Sequence, residues 1–314
     1  MPGRDSDNSI QRRRLRGELR NARERAGLTQ QVVAEGMEWS PSKLIRIEAG
    51  TVGISVNDLR ALLALYQVTD KQAVESLVQM AREARQRSWL HDYRSVATPK
   101  YISYLGYEAS ASTIRNFQPD VIPGLLQTED YADEILRYLR GPKTQDRIDT
   151  LVRLRVERQE RILARENPPE LRCILDESTI RRRVGGADTM RLQLEHLKSI
   201  SQRSNITIRI IPFTHGFYRS IRVPYVVLEF PDPADNNVLF LEYPENDEII
   251  REDSTIGHGE DPTAPPTYLE IFGELERITS DDESRSLIEE AIQAVLPSVS
   301  PLVTKARTKP PEAG

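Results

Sequence analysis

The chain has little of what an enzyme, a metalloprotein or a membrane protein would need. Cysteine occurs once in 314 residues, at Cys173, which excludes an internal disulfide and any cysteine-rich zinc site. The four histidines, His91, His196, His215 and His258, are far apart and fall in no metal-ligand spacing. No apolar run approaches the ~20 residues that span a bilayer. The opening Met1-Pro2-Gly3-Arg4-Asp5 is not that of a signal peptide. Phosphate loop, dinucleotide fingerprint and nucleophile elbow are all missing. The expectation is a soluble, cytoplasmic, nucleoid-associated protein with no membrane contact, no metal, no cofactor and no catalytic residues, hence not an enzyme.

What is present is enough apolar sequence, 38%, for folded cores, under a heavily charged surface with a mean hydropathy of -0.51. The length suggests two or three domains. The net charge of -5 is unevenly divided. Residues 1–98 carry 16 Lys and Arg against 12 Asp and Glu, a balance of +4, and the remainder 27 against 36, a balance of -9. Affinity for phosphate follows the local field, so a basic head on an acidic body is compatible with nucleic-acid binding.

The head is organised around residues 27–50. Thr29 reads as a helix N-cap, and Val33, Ala34 and Met37 form an apolar stripe at helical spacing. Ser40 reads as a second N-cap, with Pro41 at the first helical position, where its missing N–H costs nothing. Leu44 and Ile47 form the buried side of that second helix, Ser42, Lys43 and Arg46 lie off it, and Gly50 stops it. A pair of short helices, the second apolar behind and basic in front, suits a helix-turn-helix. Before it, Leu15, Leu19, Ala22 and Ala26 mark an earlier helix carrying Arg12, Arg13, Arg16, Arg20 and Arg23, for phosphates or for solvent. After it, Ser55 with Asp58 and Thr69 with Gln72 start two more helices, the last running to about Arg87.

Leu28-Thr29-Gln30, Ala34, Ser40, Arg46-Ile47-Glu48 and Gly50 resemble the motif of the lambda-repressor-like (XRE) helix-turn-helix regulators. The resemblance implies an all-α, five-helix lambda-repressor-like domain over 12–87. It also implies the role of each residue. Pro41, Ser42 and Arg46 meet base edges in the major groove, with Ser40 opening the helix that enters it, Gln30 is close to phosphate and base, and Lys43 meets the backbone; Arg13 is expected at phosphate from its own charge on the earlier helix. Leu44 and Ile47 hold the helix, and Glu48 is structural. The family turn has glycine where this chain has Glu38, with Gly36 two residues earlier. A left-handed backbone at Glu38 would cost about 1 kcal/mol relative to glycine.

Residues 88–100 read as a linker, with Trp89 packing a domain junction. The C-terminal part, 101–296, alternates strands and helices in a mixed α/β (α+β) pattern with a small mixed sheet and several helices. Helices are expected over 101–109, from Thr128, over 146–165, over 188–202 and as a final pair at 267–278 and 281–295. Strands are expected at 117–122, 171–175 and 206–211, the last two parallel, and at 225–230 and 238–243 as an antiparallel hairpin. Residues 245–261, with 7 acids and one Arg, read as a mobile acidic loop, and 1–10 and 297–314 as disordered. Gly185-Gly186 before Asp188 admits an anion at a helix N-terminus or a plain turn. Asp176-Glu177 admits an acid–base pair or simple capping.

Val121-Ile122-Pro123-Gly124-Leu125-Leu126-Gln127-Thr128, Arg153-Leu154-Arg155-Val156-Glu157-Arg158-Gln159 and Ile211-Pro212-Phe213 are similar to an actinobacterial group of antitoxin-like regulators. That resemblance implies a regulator with a C-terminal domain of unassigned chemistry. It implies a small partner protein encoded nearby and supplies no ligand; beside that protein the expected partners are double-stranded DNA, a second copy in a homodimer, since one module covers little duplex, and a small-molecule effector. The alternatives are an antitoxin-like protein whose main task is partner binding, and an enzyme with a DNA-binding head.

Overall fold

The apolar stripe of Leu15, Leu19, Ala22 and Ala26 becomes the inner face of α1 (Asn8–Arg25) in a computed structural model. That model describes residues 8–48, 52–84, 88–138, 144–231, 235–243, 246–251 and 264–295. Against α1 pack α2 (Gln30–Gly36), α3 (Pro41–Glu48), α4 (Val56–Leu65) and α5 (Lys71–Ala84). Their shared core is closed by Leu44, Leu59, Leu62 and Val78. Ser55 caps α4 through the amide of Asp58, as expected. The fifth helix is capped by Asp70, whose carboxylate accepts from Ala73, rather than by Thr69. Asp and Thr are both cap types and stand side by side, so residue type alone could not choose between them.

Three turns in this domain are built alike. After α1, Leu28 N donates to Arg23 O and Gly27 N to Glu24 O, with Gly27 at φ 68°. After α2, Trp39 N donates to Ala34 O and Glu38 N to Glu35 O, with Glu38 at φ 53°. After α4, Val68 N donates to Leu63 O and Gln67 N to Ala64 O, with Gln67 at φ 59°. Each is a Schellman closure, and glycine fills the left-handed position in only one of the three.

The C-terminal part is an α+β domain around a six-stranded mixed sheet of order β3-β2-β1-β4-β5-β6. The strands are β1 (Thr113–Gln118), β2 (Glu170–Asp176), β3 (Ile206–Ile211), β4 (Tyr225–Glu229), β5 (Val238–Leu241) and β6 (Glu248–Arg251). β1, β2 and β3 are mutually parallel and the other neighbours antiparallel. Parallel neighbours need long crossovers. α7 (Glu129–Tyr138) and α8 (Gln145–Leu163) make the first, and α9 (Glu177–Arg181) and α10 (Gly186–Ile200) the second. Because side chains alternate across a strand, Ile114, Cys173, Ile208, Val226 and Phe240 face one side. There α6 (Pro99–Glu108), α8, α10 and α12 (Asp281–Val295) cover them. Phe117, Ile174, Tyr225 and Leu239 face the other side, under α11 (Pro265–Arg277).

Three expectations are corrected. The strand expected at 117–122 lies at 113–118, because Arg115, Asn116 and Gln118 interrupt the apolar pattern while pairing with β2 sets the register. Residues 122–126 instead form a buried bend with a 3-10 turn at Gly124–Leu126. Within the expected acidic loop, 248–251 pairs antiparallel with β5 as the edge strand β6, where one exposed face tolerates charge. Residues 252–263 lie outside the described residues, as do 1–7 and 296–314. Finally, the segment read as a linker is packed. Leu90 is buried in the C-terminal core, Tyr93 donates its hydroxyl to Glu157 at 2.6 Å, and Thr98 caps α6. Trp89 lies edge-on to Tyr93 with Arg161 5.0 Å over its ring.

Candidate DNA interface

The second helix of the motif is locked from behind. Leu44 and Ile47 are 0% and 3% exposed in the helical core, while Pro41, Ser42, Ile45 and Arg46 are exposed. At 100° per residue, 41, 42, 45 and 46 fall on one side of the cylinder, opposite 44 and 47. Ser40 Oγ accepts from Lys43 N at 3.3 Å, and Thr29 Oγ1 accepts from Val32 N at 3.3 Å, so both motif helices are capped by the expected residues. Gly36 is the last residue of α2. A Cβ there would lie 3.3 Å from Leu65 Cδ2, so this glycine serves the close approach of α2 to α4 and not the turn. The left-handed turn position belongs to Glu38.

A buried ionic knot fixes the angle between the helices. Arg23 Nε donates to Glu48 Oε1 at 2.7 Å, Arg23 Nη1 to Leu28 O at 2.9 Å, and Gln30 Nε2 to Glu48 Oε2 at 2.7 Å. Glu48 is 5% exposed in its side chain and ties α1, α2 and α3 together. Burial alone would lower the Arg23 guanidinium, but the Glu48 carboxylate outweighs it and its pKa is raised.

The residues singled out from the sequence therefore divide. Ser42, Pro41 and Arg46 stand outward on α3, with Ser40 at its cap. Gln30 is held by Glu48 with its other side toward the surface. Lys43 is partly buried, with Nζ 3.8 Å over the Trp39 ring and 3.6 Å from Asp58. The side chain of Arg13 lies outside the described residues. Arg23, grouped with the phosphate-facing arginines, is 9% exposed and belongs to the knot, a correction that follows from the turn bringing Glu48 beneath it. Arg12 donates to Ala84 O at 2.8 Å, joining α1 to the end of α5. Sequence reasoning missed Ile45, 47% exposed beside Arg46, and Val32, 50% exposed on α2. The signal was available for Ile45, an isoleucine displaced from the Leu44/Ile47 stripe.

The other candidate groups read from the sequence have these partners. Asp176 accepts from Ser178 N and from the Tyr218 hydroxyl, both at 2.8 Å. Glu177 accepts from Arg181 at 2.9 Å and from Phe213 N at 2.8 Å. Gly185 at φ 67° starts α10, and the Glu134 stem already packs over that turn, 2.8 Å from where a Cβ on Gly185 would stand.

Comparison with known proteins adds two matches. Residues 14–77, from α1 into α5, match a helix-turn-helix domain. Residues 101–290, from α6 into α12, match a domain of unknown function, DUF5753, over more than half of the chain. The chain belongs to the DUF5753 family. Its DUF5753 part carries the six-stranded sheet, and the helix-turn-helix part makes the protein a DNA-binding regulator in the general sense. No curated protein and no solved structure matches the chain. Among the described residues, no helix is long and apolar enough to cross a membrane.

Proposed function

We propose that the protein is a sequence-specific transcriptional regulator that reads the major groove with α3, its C-terminal domain dimerising and receiving a signal. The observation that carries this reading is the exposed row of Pro41, Ser42, Ile45 and Arg46 on a helix whose back is fixed by Leu44 and Ile47. Arg46 suits a bidentate guanine contact, and Ile45 and Pro41 suit apolar contact with thymine methyls. Gln30 and Lys43 take the flanking phosphate positions. The domain has no catalytic task in this reading, since Asp176 and Glu177 are spent on capping and on Arg181. A single module covers too little duplex for tight specific binding, so two copies read two half-sites.

A second reading, an antitoxin-like protein that binds a small partner, draws support from a specific surface. Phe213 and Phe217 are 58% and 81% exposed on either side of Gly216. A pull-down that recovers one stoichiometric small protein, lost with Phe217→Ser, favours it.

Selecting bound sequences from random DNA with the whole protein tests the first reading. Arg46→Ala is expected to weaken the selected site by roughly 1–3 kcal/mol and to relax one base position. Equal losses on selected and random DNA would place Arg46 off the bases.

A further inference from the structure

A cavity of about 350 Å³ lies between α6, α8, β1 and the 121–127 bend. Its walls are largely apolar. Ile122, Leu151, Leu154 and Val226 line it, and Tyr104 stacks on Phe240 with centroids 4.1 Å apart. Such a volume, with largely apolar walls around a few polar groups, is the usual form of a small-molecule site.

The polar groups inside are of two kinds. One set is saturated. Arg158 donates to both oxygens of Glu108, at 2.5 and 2.6 Å, and to the hydroxyls of Tyr101 and Tyr104. Gln118 donates to Glu242 at 2.8 Å. The other set is not. Asn116 is 3% exposed and its Oδ1 has no hydrogen-bond partner. Arg155 donates from Nη1 to Gln127 Oε1 and, among the described residues, forms no ion pair. Gln127 is itself held by its bond to Ile122 O and by Gln159, so the fork is held in place. Burial lowers the Arg155 pKa and the neighbouring Arg158 adds to it, while the Tyr101 hydroxyl and the Glu242 carboxyl act in the opposite direction without reversing the shift. Burial also pushes the Glu242 carboxyl up, against the Gln118 hydrogen bond and the two arginines that favour its charged form.

We propose that this cavity binds a small monocarboxylate with an apolar body, its carboxylate on the Arg155 fork and a hydrogen-bond donor of the ligand on Asn116 Oδ1. The planar fork matches a carboxylate's two oxygens, whereas a lysine would not. Arg158 is already neutralised by Glu108, so Arg155 is the guanidinium left for a carboxylate among the groups that Tyr104, Gln118 and Gln127 surround, with Arg147 further out on Val96 O. The same cavity is walled by Val96, Ala97 and Thr98, and Arg147 donates to Val96 O at 3.0 Å. That segment leads back through the Trp89–Tyr93 turn toward α5, so a ligand touching it touches the chain that joins the two parts. Its role as the signal receiver rests on the regulatory reading above, whereas binding itself does not.

Full-length protein titrated calorimetrically with phenylacetate, cinnamate, naphthoate and decanoate, and with the matching primary amides, tests the site. At least one acid is expected to bind, with its amide about tenfold weaker or more, and Arg155→Met to abolish the difference. Leu151→Trp keeps Arg155 but fills the wall, and should exclude naphthoate, with circular dichroism verifying the fold of both variants. No acid bound, amides bound as well as acids, or acid binding unchanged in Arg155→Met would overturn the proposal. DNA affinity measured with and without the bound acid separates the two claims. Binding that leaves DNA affinity unchanged keeps the site and removes its regulatory role, whereas failure to bind leaves the DNA reading standing.

Discussion

At the scale of single residues, two turns of the helical head depend on positions whose chemistry is backbone rather than side chain. Glu38 and Gln67 occupy left-handed positions that complete Schellman closures, at φ 53° and 59°. An L side chain there crowds its own carbonyl, so each costs about 1 kcal/mol relative to glycine. Glu38→Gly and Gln67→Gly should each raise stability by about that amount, read as a higher midpoint of chemical denaturation with an unchanged slope. Gly27→Ala, at φ 68° with open space around its Cβ, should lower stability by a similar amount, because the penalty is conformational and not steric contact. If Glu38→Gly were neutral, the strain would be absent and the turn relaxed. Lys43 is a second test at this scale. It is held by Trp39 and Asp58, so Lys43→Met should weaken DNA binding modestly. The salt slope should flatten by about 0.9 if Lys43 meets a phosphate and stay unchanged if it only braces the helix.

At the scale of elements, the strongest prediction concerns α6 against α8. Glu108 and Arg158 are 0% and 5% exposed, and burial alone would lower the arginine. The Glu108 carboxylate and the tyrosine hydroxyls outweigh that burial, leaving its pKa well above its ordinary value. Removing one partner strands a charge in the core. Glu108→Gln or Arg158→Met should therefore cost about 3–5 kcal/mol, while the double replacement by apolar residues should recover much of that loss. Thermal unfolding of the four species makes the cycle measurable. The pair also shows where sequence reading succeeds and fails. The buried backs of α2 and α3, both caps, β3 and the β4–β5 hairpin were legible, because each rests on local period and on residue type at a boundary. Arg23 and Arg158 were not, since each finds its carboxylate 25 or 50 positions away, across a contact that no local pattern encodes. The cavity was invisible for the same reason. Asn116, Arg155 and Phe240 come from separate elements, and Asn116 even disguised the strand it belongs to.

At the scale of the whole molecule, charge and copy number meet. The head is positive while the body is negative, and an acidic body repels the duplex on which the head docks. The body must then be held on the side of the head away from DNA, or the opposing field would cancel the attraction. Gln30 and Ile45 border an open cleft of about 1180 Å³ whose opposite wall includes Asp235, Asn236 and Arg251 of the C-terminal domain. A small shift of that domain would change how freely a duplex reaches α3, which is the route the proposed regulatory reading would use. Pairing two copies strengthens the head's share, because two modules on one duplex double the released counterions, while each body needs to be held back only once. Two linked outcomes follow. Sedimentation of the protein with its selected site should show two copies per duplex. The fall of log affinity with log salt should be about twice as steep on a two-half-site duplex as on a single half-site, at roughly 0.9 per phosphate neutralised. A monomer both free and on DNA, with the same slope on both duplexes, would overturn the dimer and leave one module to supply all of the specificity.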